Sequence, residues 1–481
     1  MRWLPGVAAI AAFVAAGCGG TVGASAGGAD IVPATAPAFI AVNTDTESSQ
    51  WQTVDDLSQR FPDRNKAMQT FHEALQSEGL SWKRDVKPAI GPEVDFVWLD
   101  FAHDGEDFVV LLQPDDDKKF DKLITKEASA SDFFHAKIGD WQVMAPRQDL
   151  LDRFRRDSDS GETLADRKPF QQAMKTYPDD YLVRAYVDGA ALMRLARRDA
   201  DPEFKKMLPK LGTLDWFATN LSVTSDGVRW DSNVHGTPGP AFKGISPTRA
   251  FRPTLSHEVP KDAIAYFTFH GTKGMLTGLE KNPLFNDVSE LHRYAGVLRR
   301  IESLLQGENA LWVRPSSSGK IPEVTFVAEP AAGTDGAATL DRLLSRYRKQ
   351  LELRSLPKRT TVAGVPARVF YADPVHVYYA NVGKRLVVTD EAAGIRTLKG
   401  NPPSLEESSE YNDTLDSAGM PDKTQGFLYV NVKGGLRYAQ RLAQVPLPGE
   451  VKRNLRPLRS AVEYGATRPS ELQITFFLRI S

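Results

Sequence analysis

A chain of 481 residues has room for two or three domains of ordinary size. Its 60 basic and 61 acidic side chains leave a formal net charge of −1, which excludes a global electrostatic attraction to nucleic acid or another polyanion. The single cysteine, Cys18, excludes an internal disulfide and a thiolate metal site in the body of the protein.

The chain opens with Arg2, a short apolar run from Leu4 to Ala16, and then Ala15-Ala16-Gly17-Cys18. One positive charge, a brief apolar stretch and small residues are the layout of an export signal. The run is shorter than the 20 or so apolar residues that a permanent spanning helix needs. Ala15-Ala-Gly-Cys18 resembles the bacterial lipobox, with Ala15 in the place more often held by Leu. That resemblance implies a signal peptide over 1–17, removed before Cys18, and acylation of the cysteine thiol by palmitate-type chains. Several such chains hold a protein firmly, since each buried methylene contributes about 0.8 kcal/mol. Residues 18–31 are small and Gly-rich, which predicts a flexible tether. The absence of Asp at position 19 favours the outer membrane if the host has one.

A first unit is expected over 32–235. Ala38–Asp45 reads as a strand, and Trp51, Val54, Leu57 and Phe61 recur at helical spacing, as do Met68, Phe71 and Leu75. After the turn-rich stretch 85–91 come two apolar strands, Val94–Phe101 and Phe108–Leu112, joined through His103-Asp-Gly-Glu-Asp107. A helix through Phe120, Leu123 and Ile124 follows, then a hairpin over 133–144 turning at Gly139-Asp140, and a helix over 148–155. Phe170–Met174 (helix), Tyr181–Val187 (strand) and Ala190–Arg197 (helix) lead to a closing hairpin, 216–223 with 228–234. Basic pairs at Arg155-Arg156, Arg197-Arg198 and Arg299-Arg300 sit at helical spacing and read as solvated faces.

The stretch 236–258 is rich in Pro and Gly and reads as a connector. The unit expected over 259–481 repeats the order of the first. Ala263–Phe269 stands for the first strand; Leu311–Val313 and Val324–Ala328 stand for Phe96–Trp98 and Phe108–Leu112. Leu340–Leu344 matches Phe120–Ile124, Tyr378–Gly383 matches Phe134–Gly139, and Phe427–Val432 before Gly434 matches Leu182–Val187 before Gly189. An additional strand, Gly364–Phe370, has no counterpart, and the chain closes on a strand over 472–480. Short hairpins with helices between them predict an α+β fold. It is a tandem duplication of two similar domains, each a mostly antiparallel sheet with helices packed on one face.

Val32–Asp45, Asp85–Gly91, Gly364-Val-Pro366 and Tyr379–Thr389, behind a lipobox, resemble a large family of bacterial exported proteins catalogued as domain of unknown function 3352. The resemblance covers most of the mature chain and implies an envelope location and a two-part body. It brings no functional residues.

Chemistry-bearing motifs are sparse. The histidines are His72, His103, His135, His235, His257, His270, His292 and His376, and none forms the His-Glu-x-x-His pattern of a zinc protease. There is no Gly-x-Ser-x-Gly elbow and no Ser-x-x-Lys with its companion boxes. Ser316-Ser-Ser-Gly-Lys320 lacks the leading Gly of a phosphate loop and reads as a hairpin between strands. Asp115-Asp-Asp117 lacks the sixth-position Gly and terminal Glu of a calcium loop and reads as a helix N-cap. Trp98, Trp141, Trp216, Trp230 and Trp312 read as core or sheet-face residues, and any that share an uncovered face would form an apolar groove.

No catalytic, ligand-binding or metal residue and no cofactor is assigned; Cys18 is the one site residue. The expectation is a membrane-anchored, non-enzymatic binding or assembly protein whose partners are the membrane and an envelope protein, glycan or lipid, with no nucleic acid. An envelope hydrolase with a site built from distant residues and a carrier for hydrophobic molecules are the alternatives.

Overall fold

The computed structural model describes residues 27–481 except 127–132, 160, 240–249, 277–295, 298–299, 317–320, 444–446 and 469. The signal segment, Cys18, His292 and most of the Ser316–Lys320 stretch lie outside the described residues.

Alternating apolar runs and tight turns build strands β1 (Ala38–Asn43), β2 (Glu93–Trp98), β3 (Phe108–Leu112), β4 (Phe134–Ile138), β5 (Trp141–Ala145), β6 (Val183–Asp188), β7 (Gly212–Thr224) and β8 (Gly227–Pro238) in the first half. The second half supplies β9 (Ala265–His270), β10 (Glu308–Arg314), β11 (Glu323–Ala328), β12 (Lys358–Val362), β13 (Val365–Ala372), β14 (Val375–Val382), β15 (Arg385–Thr389), β16 (Gly426–Val430), β17 (Leu458–Arg468) and β18 (Glu471–Ile480). The fold is α+β, and all the strands join one antiparallel sheet.

Across the first half the spatial order is β4-β5-β3-β2-β1-β6-β7-β8. It continues through β18-β17-β16-β9-β10-β11-β15-β14-β13-β12. The second half therefore repeats the first in reverse, with the β12–β13 hairpin added at the far edge. The halves meet strand to strand, β8 against β18, so each closes an edge that would otherwise offer unpaired backbone groups.

The register at that seam is self-complementary. Thr224 pairs with Gly227 across the β7–β8 turn, and Arg468 pairs with Glu471 across the β17–β18 turn. Four residues on from each turn stand Asp231 and Thr475, and these two pair with each other. An approximate two-fold axis thus runs through the Asp231–Thr475 pair, where the Thr475 hydroxyl donates to Asp231 at 2.6 Å.

Smaller features repeat as well. Pro33 bridges to Thr163 and Pro260 to Ser404, and Thr163 and Ser404 each open a capping box, closed by Asp166 and Glu407. Asp188 and Asn431 cap the helices Gly189–Asp199 and Val432–Leu442 through the N–H groups of Ala191 and Gly434. Here the sequence match needs correction by two residues. Val187 and Val430 occupy the same place, opposite Ala38 and Ala265, so Gly434 corresponds to Ala191 and not to Gly189. A two-residue slip keeps every side chain on its face, so the hydrophobic pattern cannot detect it.

One sheet face, here called inner, is packed along both halves. Phe39, Val97, Val109 and Tyr186 meet Leu150, Phe154 and Phe170 of the helices Gln148–Ser158 and Lys168–Met174. Tyr266, Trp312, Val387 and Phe427 meet Ile395 and Tyr411 of Ala392–Gly400 and Ser409–Ser417. Beyond the helices expected on one face, others stand against the outer face toward the ends of the sheet. Helix Asp117–Lys126 covers Val94, Val110 and Met144, and helix Gly336–Arg346 covers Ala328, Tyr379 and Leu386. They are needed because β3 is apolar on both faces: Val109 and Leu111 point in, Val110 and Leu112 out.

Of the tether expected over 18–31, residues 18–26 lie outside the described residues. Gly27–Asp30 form a 3-10 turn, with Gly28 and Ala29 buried against the body. Only glycine fits at 28, since a Cβ there would lie 1.7 Å from Asp95 Oδ2. Of the connector expected over 236–258, residues 240–249 lie outside the described residues. β8 carries on to Pro238, and Phe251 bridges to Thr424 in the second half. Helix Pro202–Leu211 and strands β12 and β17 are additional to the expected elements; Pro209 inside the helix and the charged start of β12 mask the periodicity of those two.

Candidate functional site

Between the helices that flank it, the middle of the outer face is open. Strict alternation along β16 and β18 sends Phe427, Tyr429, Thr475 and Phe477 inward and leaves Leu428, Ile474 and Phe476 outside. In register these side chains form a row across five strands: Trp230 opposite Phe476, Phe476 opposite Glu463, Glu463 opposite Leu428, and Leu428 opposite Phe267. Trp230 is 51% exposed, Phe476 40%, Phe267 39% and Leu428 38%. Ile474 is exposed beside Phe476, and the Phe267 and Phe269 rings stack with centroids 5.6 Å apart. Single exposed apolar residues are ordinary, but here four of them flank Glu463 in one row. It exists because the halves join edge to edge: Trp230 belongs to the first half and the other members to the second.

The inner face holds a second unusual feature. Glu93 Oε2 accepts from the Tyr181 hydroxyl at 2.6 Å, and Oε1 from the Gly28 N–H at 3.4 Å. Two residues on, Asp95 is fully buried, and among the described residues neither of its oxygens has a hydrogen-bond partner. Burial, and then the neighbouring Glu93 charge, push the Asp95 carboxyl well above the usual carboxylate range; burial also raises Glu93. Arg184, stacked 4.4 Å over the Tyr181 ring, faces the same region and donates to Asn220. A buried carboxyl kept protonated is an acid in form. The Gly27–Asp30 turn packs over it, however, and Asp95 has no solvent-exposed surface.

The residues singled out in the sequence scatter. His103 pairs with Asp107 at 2.9 Å, and Asp107 is also held by Arg147. His235 pairs with Asp215 at 2.9 Å and stacks on Trp216. Among the described residues neither imidazole hydrogen-bonds a serine or threonine hydroxyl. His72 lies on helix Arg64–Ser77, His135 on β4, His257 in a 3-10 turn, His270 on β9 and His376 on β14, so the structure brings none of them together. Asp116 accepts from the Lys118 and Lys119 N–H groups, the N-cap role expected of the acidic triplet. Among the described residues no group of three or more His, Cys, Asp or Glu side chains is placed to hold a metal. No described helix is long and apolar enough to cross a membrane. Trp141, Trp216 and Trp312 are buried on the inner face, whereas Trp98 and Trp230 share the outer one. Strand alternation was the signal for the exposed row; what hid it was that its members come from strands distant in sequence.

No family model matches the chain, and no curated protein matches it. Solved structures give weak likenesses. Crystal forms III and IV of TP0453 align at 12% and 14% identity, each with a TM-score of 0.26. They cover 46% of this chain and 78% and 79% of theirs. At that TM-score the likeness carries no argument about function.

Proposed function

We infer that this is a lipid-anchored protein of the bacterial cell envelope that acts by binding, not by catalysis. Acyl chains on Cys18 attach it to the membrane, and the open outer face receives a partner. The exposed row Trp230–Phe476–Glu463–Leu428–Phe267 carries the binding part of this reading. The lipobox-like sequence and the resemblance to exported proteins support the location. Gly28 is packed against the body, so cleavage before Cys18 would put the acylated residue nine positions before the Gly27–Asp30 turn. Nine extended residues reach about 30 Å, which keeps the body close to the bilayer.

Two measurements test this. Cys18→Ser should move the protein from the membrane to the soluble fraction; a variant that stays membrane-bound rules out the anchor. A folded Trp230→Ser, Phe476→Ser double variant should lose whatever co-purifies with the natural chain, and unchanged recovery rules out the open face as the binding surface.

A further inference from the structure

The open row contains one member that does not belong to an apolar surface. Glu463 is exposed, lies between Phe476 and Leu428, and among the described residues has no hydrogen-bond or ion-pair partner. Its same-face neighbours along and across the strands are Ala461, Gly465, Ile474, Leu478, Gly426 and Val430, so none of these adjacent strand positions carries a cation.

The duplication supplies an internal control. Counting from the two hairpin turns, Glu463 occupies the place that Thr219 holds in the first half. The Thr219 hydroxyl is satisfied within the fold: it donates to the Asp231 carbonyl at 2.8 Å, lies 3.1 Å from the Ser232 hydroxyl and accepts from the Trp230 indole. One copy thus settles the position internally, and the other presents a bare carboxylate in an apolar field.

Resting on the reading of this face as a binding surface, we propose that its occupant is a protein segment bearing an apolar stripe with one Lys or Arg at its centre. The apolar flanks bury against Trp230, Phe476, Leu428 and Phe267, and the cation pairs with Glu463. The chemistry selects against other occupants. Covering a carboxylate with acyl chains or neutral apolar surface removes its water without compensation, a cost of several kcal/mol in proteins. Anionic lipid headgroups are repelled by it. A cation delivered in register removes the cost and fixes the position of the partner along a row about 19 Å long, four strand spacings.

The test uses the full acylated chain in nanodiscs and dye-labelled amphipathic peptides that differ only at a central Lys, norleucine or Glu. The Lys peptide should bind about tenfold more tightly than the Glu peptide, measured by fluorescence anisotropy. Glu463→Lys, an exposed change that leaves the fold intact by circular dichroism, should invert that order. Trp230→Ser should weaken all three. Binding with no preference among the peptides, or a preference that Glu463→Lys leaves unchanged, overturns the proposed partner chemistry while the face remains a binding surface. Failure of every peptide to bind removes the surface itself, and the broader reading with it. Self-association of the chain that Trp230→Ser abolishes would make a second copy the occupant and overturn the proposal.

Discussion

The two halves share connectivity, capping boxes and seam strands, yet they fill the same inner row with opposite chemistry. In the first half this row carries Ala41, Asp95, Arg184 and Asn220. The equivalent places in the second half hold Thr268, Ala310, Phe427 and Tyr464. Glu93 and Glu308 start from the same position, but their surroundings differ. Glu308 accepts from the Thr254 and Leu255 N–H groups and from two threonine hydroxyls. Glu93 has the carboxyl of Asp95 as its neighbour. One backbone plan therefore tolerates a polar or an aromatic row, provided the polar one is tied by Tyr181 and Arg184. The first half accepts an unpartnered carboxyl at a site where the second has none.

Exchanging residues between the halves tests how far the equivalence holds. Ala310→Asp should do the most damage, because it places a carboxyl between Thr268 and Val327 with no partner; a loss of about 4 kcal/mol in urea unfolding is expected. A loss near zero would show that the second half can satisfy what its row lacks. Asp231→Ala comes next. It strips Arg229 of both its hydrogen bonds to the carboxylate and removes the Thr475 contact on the axis, for about 2 kcal/mol. Thr475→Val, which removes only that contact, should cost about 1 kcal/mol.

Asp95→Ala, which installs the residue of the second half, should stabilise the protein by about 1 kcal/mol at neutral pH. The sign follows from protonation: the folded carboxyl holds its proton at a pH where the unfolded one has released it. The stability is intact below the ordinary carboxylate value of about 3.9 and falls as pH rises from there toward the raised folded value. The variant should flatten that fall, and an unchanged slope would place the proton elsewhere. Glu463→Thr should have the smallest effect, within about 0.5 kcal/mol, since the residue is exposed. If its stability effect is larger, the carboxylate serves the fold and not a partner.

Much of the local plan was legible beforehand. The turn at Gly139-Asp140, the closing hairpin of 216–223 with 228–234 and the match of Phe108–Leu112 to Val324–Ala328 rest on turn residues and period-two patterning, which act over a few neighbours. The candidate surface was only half legible. Trp98 and Trp230 read only as core or sheet-face residues, together with Trp141, Trp216 and Trp312, and their shared outer face is a matter of register between strands far apart in sequence.

By itself the sequence determined the fold class, much of the order of elements and the repeat, because hydrophobic period and turn chemistry are properties of neighbouring residues. Only the tertiary structure decided that β8 pairs with β18 and so turns two lobes into one sheet. It also decided that Gly28 closes over Asp95, and that Glu463 stands alone among apolar side chains. Each of these depends on backbone contacts between segments tens to hundreds of residues apart, and no local pattern encodes which distant edge a strand will meet.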